Sequence, residues 1–430
     1  MRFASTRDPG LTATLSEALA RGIAPDGGLY VPERFPALAP EDFAGTRSLP
    51  EVAARLLAPF FAGDVLEPQL PEIVAEAFDF PVPIVPLPAA GPDVGVLELF
   101  HGPTAAFKDF GARFLAACLA RLPRARDVTI LVATSGDTGG AVAAAFHGRP
   151  GTRVVVLFPK GLVSPRQERQ LTCWDGNVRA LAVRGTFDDC QRMVKAAFAD
   201  PALRARVELS SANSINVGRL LPQASYYAYA SLDVWRRTGR PANFIVPSGN
   251  LGNVLACVWA RRVGLPIGAI TMAFNANRTV PDYLERGEWQ PRPSVATLAS
   301  AMDVGNPSNM ERLRHLHPEW RDVVEAVSAV SVSDDEIRAR IRADRSALGQ
   351  TWCPHTATAA EAYARLAPSL RAGGPWLLVA TAHPAKFPET VEPLVGHEVP
   401  VPPALARLLE LPSHATEIPA TVEALAEVLT

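Results

Sequence analysis

Residues 128–148, VTILVATSGDTGGAVAAAFHG, set the architecture. The first seven are apolar or β-branched, the length of a strand, and unbroken enough to be buried on both faces. A glycine-rich loop follows at Ser135–Gly140, and AVAAAFHG then reads as a helix. The same order returns at 243–264, NFIVPSGNLGNVLACVWARRVG, with its loop at Ser248–Asn253. RVVVLFP (153–159), PIGAITMAFN (266–275) and PWLLVATAHP (375–384) add strands, and FDDCQRMVKAAFAD (187–200) adds an amphipathic helix. Short apolar strands alternating with helices predict an α/β protein of two doubly wound open-sheet domains. Ligands of such domains sit in the loops beyond the carboxyl ends of the strands.

Outward from this core, the stretch to residue 90 is rich in turns and short amphipathic helices. It predicts an N-terminal mainly helical segment. It ends in FPVPIVPLP (80–88), whose alternating prolines block a helix and a central strand. The expected division is 1–90, then a first α/β domain at 91–215, then a second at 216–430.

Composition narrows the function. The chain has 430 residues, 20% of them charged, and a formal net charge of −2, so nothing electrostatic calls for nucleic acid or an anionic membrane. No apolar run is long enough to span a bilayer. The N-terminus, MRFASTRDPGLTATLSEALARG, has polar and acidic residues where a signal peptide needs an apolar core, so a cytoplasmic protein is expected. Five scattered cysteines without a CxxC pair suggest neither a disulfide framework nor a zinc site. No metal is expected, and the HLH run at 315–317 has no partner motif. Lysine is scarce: Lys108, Lys160, Lys195 and Lys386 are the only four.

Each glycine-rich loop lets backbone approach a ligand and offers the free N–H groups of a helix start to an anion. Neither loop fits a dinucleotide or ATP fingerprint. Two in one chain suggest two anionic groups. Lys108 lies in LELFHGPTAAFKDFGARFLAACLARL between Phe107 and Phe110. That setting permits a desolvated, nucleophilic amine, and equally a lysine whose stem covers apolar surface while its head reaches water. Lys195 sits on an amphipathic helix facing solvent; Lys160 and Lys386 follow strands, where a ligand could meet them, but Lys160 lacks an aromatic pocket and Lys386 stands in a proline-rich loop. A reactive amine with two anion cradles is what a pyridoxal-phosphate enzyme acting on an amino acid requires.

At these residues the sequence resembles the threonine synthases, pyridoxal-phosphate enzymes of fold type II. The resemblance rests on collinear segments along nearly the whole chain. They include STR (5–7), GIAPDGGLYVP (22–32), LFHGPTAAFKDFGARF (99–114), TSGDTGGAV (134–142) and PKGLVSPRQERQLT (159–172). NSINVGRLLPQASYY (213–227), VPSGNLGN (246–253), MDVGNPSNMER (302–312), PHTA (354–357) and TAHPAKFPE (381–389) continue it. The resemblance implies conversion of O-phospho-L-homoserine and water to L-threonine and phosphate with pyridoxal 5'-phosphate as cofactor. A phospho-lyase or a dehydratase-like β-eliminase is the alternative within the same cofactor class.

By the same resemblance, Lys108 carries the cofactor and moves protons. Gly249, Asn250, Leu251 and Asn253 bind its phosphate, and Thr381 faces its pyridine nitrogen. Ser135, Gly136, Asp137 and Thr138 close on the substrate carboxylate. Lys160, Arg166 and Arg219 are candidates for the substrate phosphate. Leu251 departs from an aromatic residue usual in relatives, and Cys353 from an acidic one. His101, His355 and His383 stand in motif loops where structural hydrogen bonding competes with proton transfer. A homodimer is compatible with the fold class.

Overall fold

The structure, a computed structural model, describes residues 1–123 and 126–430. Strands and helices fall where the periodicity puts them. Val128–Ala133 and Trp376–Ala380 are buried at every position, as the unbroken apolar runs require for parallel strands covered on both faces. The amphipathic run becomes the helix Phe187–Ala199, on which Lys195 is exposed.

One sheet holds Ser328–Ser331, Ile267–Phe274, Ala242–Pro247, Trp376–Ala380, Val94–Glu98 and Ile84–Pro86 in that spatial order. Its first five strands are parallel. The last is antiparallel and comes from the proline-rich stretch. Prolines cannot donate to a ladder, and an edge position asks for fewer donors. What reads in sequence as a boundary is therefore a three-residue edge strand. The second sheet is all parallel, in the order Thr416–Pro419, Val178–Arg184, Thr152–Pro159, Val128–Ala133, Glu208–Ser211.

The two sheets exchange chain. Val94–Glu98 pairs with Trp376–Ala380, and Thr416–Pro419 pairs with Val178–Arg184. Neither sheet is thus confined to one of the intervals 91–215 and 216–430. The first 90 residues are mainly helical, with a small antiparallel sheet of Thr12–Ala13, Phe3–Ser5 and Tyr30–Pro32 added. Aromatic rings from this segment, Phe61 and Phe78, pack on Phe114 of the helix Lys108–Arg121, and Phe80 packs edge-on to Phe110 of that helix. Among the described residues no helix is long and apolar enough to cross a membrane.

Candidate active site

Three loops meet between the sheets, each just beyond the carboxyl end of a parallel strand. Pro247 leads into the turn 248–251 and the helix Gly252–Arg262, Ala133 leads into the helix Asp137–Phe146, and Ala380 leads to Thr381. The segment ahead of Lys108 is stitched to the third loop by main chain. Phe107 N–H donates to the Thr381 carbonyl at 2.9 Å, and His383 N–H donates to the Ala105 carbonyl at 3.0 Å. Ala105 is held at φ 55° in doing so, a left-handed conformation costing an alanine about 1–2 kcal/mol. Lys108 then opens its helix, with its head in a cleft shared with Arg219, Asp137, His355, Thr381 and the whole turn 247–254.

Lys108 is half-buried, its Nζ 4.8 Å from the Phe107 ring centre. Burial first, then the nearby Arg219 charge, lower its pKa to about 8, against a smaller opposing pull from Asp137. A neutral amine is therefore accessible near physiological pH, as a nucleophile or base requires.

The turn after Pro247 has the donors an anion cradle would need. Leu251 takes a left-handed φ of 63°, and the N–H groups of Gly249, Asn250, Leu251, Gly252 and Asn253 meet no protein acceptor among the described residues. Tyr227 Oη donates to Asn253 Oδ1 at 2.7 Å and Tyr226 Oη lies 2.5 Å from the same oxygen. This pins the amide, and the buried Asn253 Nδ2 is left with no partner among the described residues. A buried unpaired donor costs about 1–3 kcal/mol, which an anionic ligand would relieve. Gly249 is required sterically, because a Cβ there would lie 2.8 Å from Met302 Cα.

Residues of two motifs that had no assigned role hold this turn. Asn250 Nδ2 donates to Ser214 Oγ (2.6 Å), Ser308 N–H donates to Asn250 Oδ1 (2.5 Å), and Asn309 Nδ2 donates to the Asn250 carbonyl (3.0 Å). Behind them the fully buried Arg312 donates to the carbonyls of Tyr30, Ser214 and Ile215 and to Asn309 Oδ1. Glu311 pairs with Arg7 and accepts from Thr6. The N-terminal segment is thereby tied to the turn. Only the runs of Ser and Asn in these motifs hinted at such work.

The second glycine-rich loop lies at Ser135–Thr138. Thr134 Oγ1 accepts from Gly136 and Gly139 N–H, while the N–H groups of Ser135, Asp137 and Thr138 meet no acceptor among the described residues. Gly136 has φ 145°, and a Cβ there would strike the Gln167 side chain. Burial raises the Asp137 carboxyl, but Lys386, His355 and Gln167 outweigh it and hold the group below the usual carboxylate range. His355 is driven to about 4, chiefly by burial. Its Nε2 accepts from Ala301 N–H, so the neutral ring serves as a structural acceptor. His383 accepts from Ala385 N–H and is likewise lowered to about 4, chiefly by burial, while His101 pairs with Glu98.

The three candidate cations part company. Arg219 is 2% exposed, lines the cleft, and has no carboxylate partner among the described residues. Its Nη1 donates to the Ala212 carbonyl, and its Nε has no hydrogen-bond partner among the described residues. Burial lowers its pKa to about 10, partly offset by Asp109. Lys160 does not reach the cleft: it is exposed and paired with Glu417 on the adjoining surface. Arg166 is half-buried and turned to the Ala385 carbonyl, outside the cleft lining. Lys386, passed over in the sequence, is fully buried and paired with Asp137 at 2.7 Å. Thr381 lines the cleft, and its hydroxyl meets no protein partner among the described residues.

The donor set fits a pyridoxal phosphate: a lysine of lowered pKa, a turn of free N–H groups with an orphaned amide, and a hydroxyl across from them. Comparisons agree. Residues 76–382 match the family described as pyridoxal-phosphate dependent enzyme, residues 2–78 threonine synthase N terminus, and residues 356–429 threonine synthase, C-terminal. Threonine synthase from Serratia marcescens is 41% identical, over 98% of this chain and 97% of that protein. The crystal structure of threonine synthase from Escherichia coli superposes with TM-score 0.91 at 38% identity, covering 100% of this chain and 99% of that one. The PLP-bound threonine synthase structure from Brucella melitensis gives 0.90 at 35% identity, covering 100% and 98%.

Proposed function

Because the chain belongs to the threonine synthases, a family of pyridoxal-phosphate-dependent enzymes, we propose a division of labour among its residues for that family's reaction. The reaction converts O-phospho-L-homoserine and water to L-threonine and phosphate. When bound, pyridoxal phosphate draws electron density from the bonds broken at Cα and Cβ. Lys108 holds it and, as a free amine, takes the proton from substrate Cα and then one from Cβ. The C–O bond at Cγ breaks with loss of phosphate, Cγ takes up a proton, water adds its oxygen at Cβ while its spare proton goes to the released phosphate, and Cα regains a proton.

Gly249, Asn250, Leu251 and Asn253 seat the cofactor phosphate on N–H groups, with the Asn253 amide as a further donor. Thr381 supplies a neutral hydroxyl to the pyridine nitrogen. Ser135, Gly136, Asp137 and Thr138 receive the substrate carboxylate at a helix start, where partial positive charge favours it. For the substrate phosphate, Arg219 is the best-supported cation, being buried, unpaired and in the cleft. The exposure of Lys160 and the carbonyl partner of Arg166 leave those two with weaker support.

One observation carries the reading. The amine of Lys108 shares its cleft with the turn 249–253, whose donors have no acceptor of their own among the described residues. The test is phosphate release from O-phosphohomoserine by wild type and Lys108→Ala, with threonine and 2-oxobutyrate quantified. Wild type should release phosphate and threonine in equal amounts, and the variant should lose at least roughly a thousandfold in rate. Phosphate accompanied by 2-oxobutyrate alone, or an active variant, would refute the assignment.

A further inference from the structure

Lys386 takes no part in the division of labour above, yet it is 0% exposed and sits within the site's polar network. Its Nζ lies 2.7 Å from Asp137 Oδ1 and donates to the Thr104 carbonyl at 2.8 Å. Thr104 is itself fixed by the carboxyl of Asp109, which accepts from Thr104 N–H (2.9 Å) and Oγ1 (2.7 Å). Gln170 Nε2 donates to the same Thr104 carbonyl. Asp109 adjoins Lys108 in the chain, so one run of bonds leads from the reactive lysine's segment through Lys386 to the loop 135–138.

Asp137 creates a problem that this network solves. It stands at the first position of the helix Asp137–Phe146 and lines the cleft. A lone carboxylate there would compete for the partial positive charge of the helix start and repel an incoming anion. Gln167 Nε2 satisfies the carboxylate's hydrogen bonding at 3.0 Å without changing its charge. Only a cation cancels it, and Lys386 is the cation in contact.

We infer that Lys386 is a positioning residue, cancelling the charge of Asp137 and fixing the loop 135–138 so that an anionic group of the substrate can be seated there. The inference rests on the reading of that loop as an anion site. It separates Lys386 from Arg219, which faces the ligand directly, and it gives the fourth lysine of the chain a role that exposure and sequence context did not suggest.

The probe is the phosphonate isostere of O-phosphohomoserine, which cannot eliminate phosphate, titrated into holoenzyme and followed by the cofactor's visible absorbance. Lys386→Met should weaken its binding on the order of a hundredfold, since an uncancelled carboxylate then faces the ligand at low dielectric. Lys386→Met/Asp137→Asn, which leaves no lone charge, should recover to within about tenfold of wild type. The single variant's deficit should also shrink as pH falls. Besides Lys386, the titratable groups facing Asp137 are Lys108, His355 and Cys353. Lys108 is common to wild type and variant, and burial keeps His355 neutral and the Cys353 thiol protonated, so the recovery relative to wild type reports protonation of Asp137.

A double variant as weak as Lys386→Met overturns the inference, because Lys386 would then act on the ligand itself. Unchanged binding by Lys386→Met overturns it as well. Should the single variant fail to fold, the double variant decides alone. Failure of wild type to release phosphate from O-phosphohomoserine would instead strike the reading of the whole site.

Discussion

Replacing Arg219 with methionine should make the protein more stable and its substrate binding worse. The side chain is buried without a carboxylate, and its pKa falls from 12.5 to about 10, chiefly through burial. At 1.36 kcal/mol per pKa unit, keeping it charged costs about 3 kcal/mol. Methionine is close in volume and removes that cost. It also strands the Ala212 carbonyl, which now accepts from Nη1, at a loss of about 1–2 kcal/mol. The net gain is about 1–2 kcal/mol, a rise of a few degrees in Tm.

Binding should move the other way. A charge-assisted contact to a phosphate is worth about 1.5–3 kcal/mol, so KM for O-phosphohomoserine should rise roughly 10- to 150-fold. Inhibition by L-homoserine, which lacks the phosphate, should change far less. Thermal unfolding and phosphate-release kinetics on one preparation measure both effects. A lower Tm, or equal weakening of both ligands, would show that Arg219 serves the fold and not the phosphate.

The lowered pKa of Lys108 fixes the pH profile. A base works only when neutral, so kcat should climb with pH and level off above about 8, with the limb moving higher in Arg219→Met because the cation that helps lower Lys108 is gone; a limb near 10 in wild type would contradict this. Gly249→Ala drives a Cβ against the backbone of Met302. Its affinity for pyridoxal phosphate, titrated into apoprotein, should drop roughly 10- to 100-fold with kcat at saturating cofactor largely kept, and unchanged affinity would mean the turn is not the cradle. Arg312→Lys cannot reach all four acceptors that the guanidinium joins. It should cost about 2–4 kcal/mol of stability and weaken cofactor binding as Asn309 loosens its hold on Asn250, an effect checked by denaturation and the same titration.

Sequence alone determined the alternation of strands and helices, the two glycine turns at strand ends, and the short list of amines that includes Lys108. These are legible because side-chain periodicity and turn chemistry are local, settled within a few residues of chain. Tertiary structure decided which charges line the cleft. Lys160 is held outside the cleft by Glu417, from a strand 257 residues further on, while Lys386, in an unpromising loop, is buried against Asp137. It also decided the edge strand at Ile84–Pro86, the exchange of strands between sheets, and the path from Arg7 and Tyr30 through Glu311 and Arg312 to the turn after Pro247. A charge is placed by its partners and its solvent exposure, and those come from segments that only the folded chain brings together.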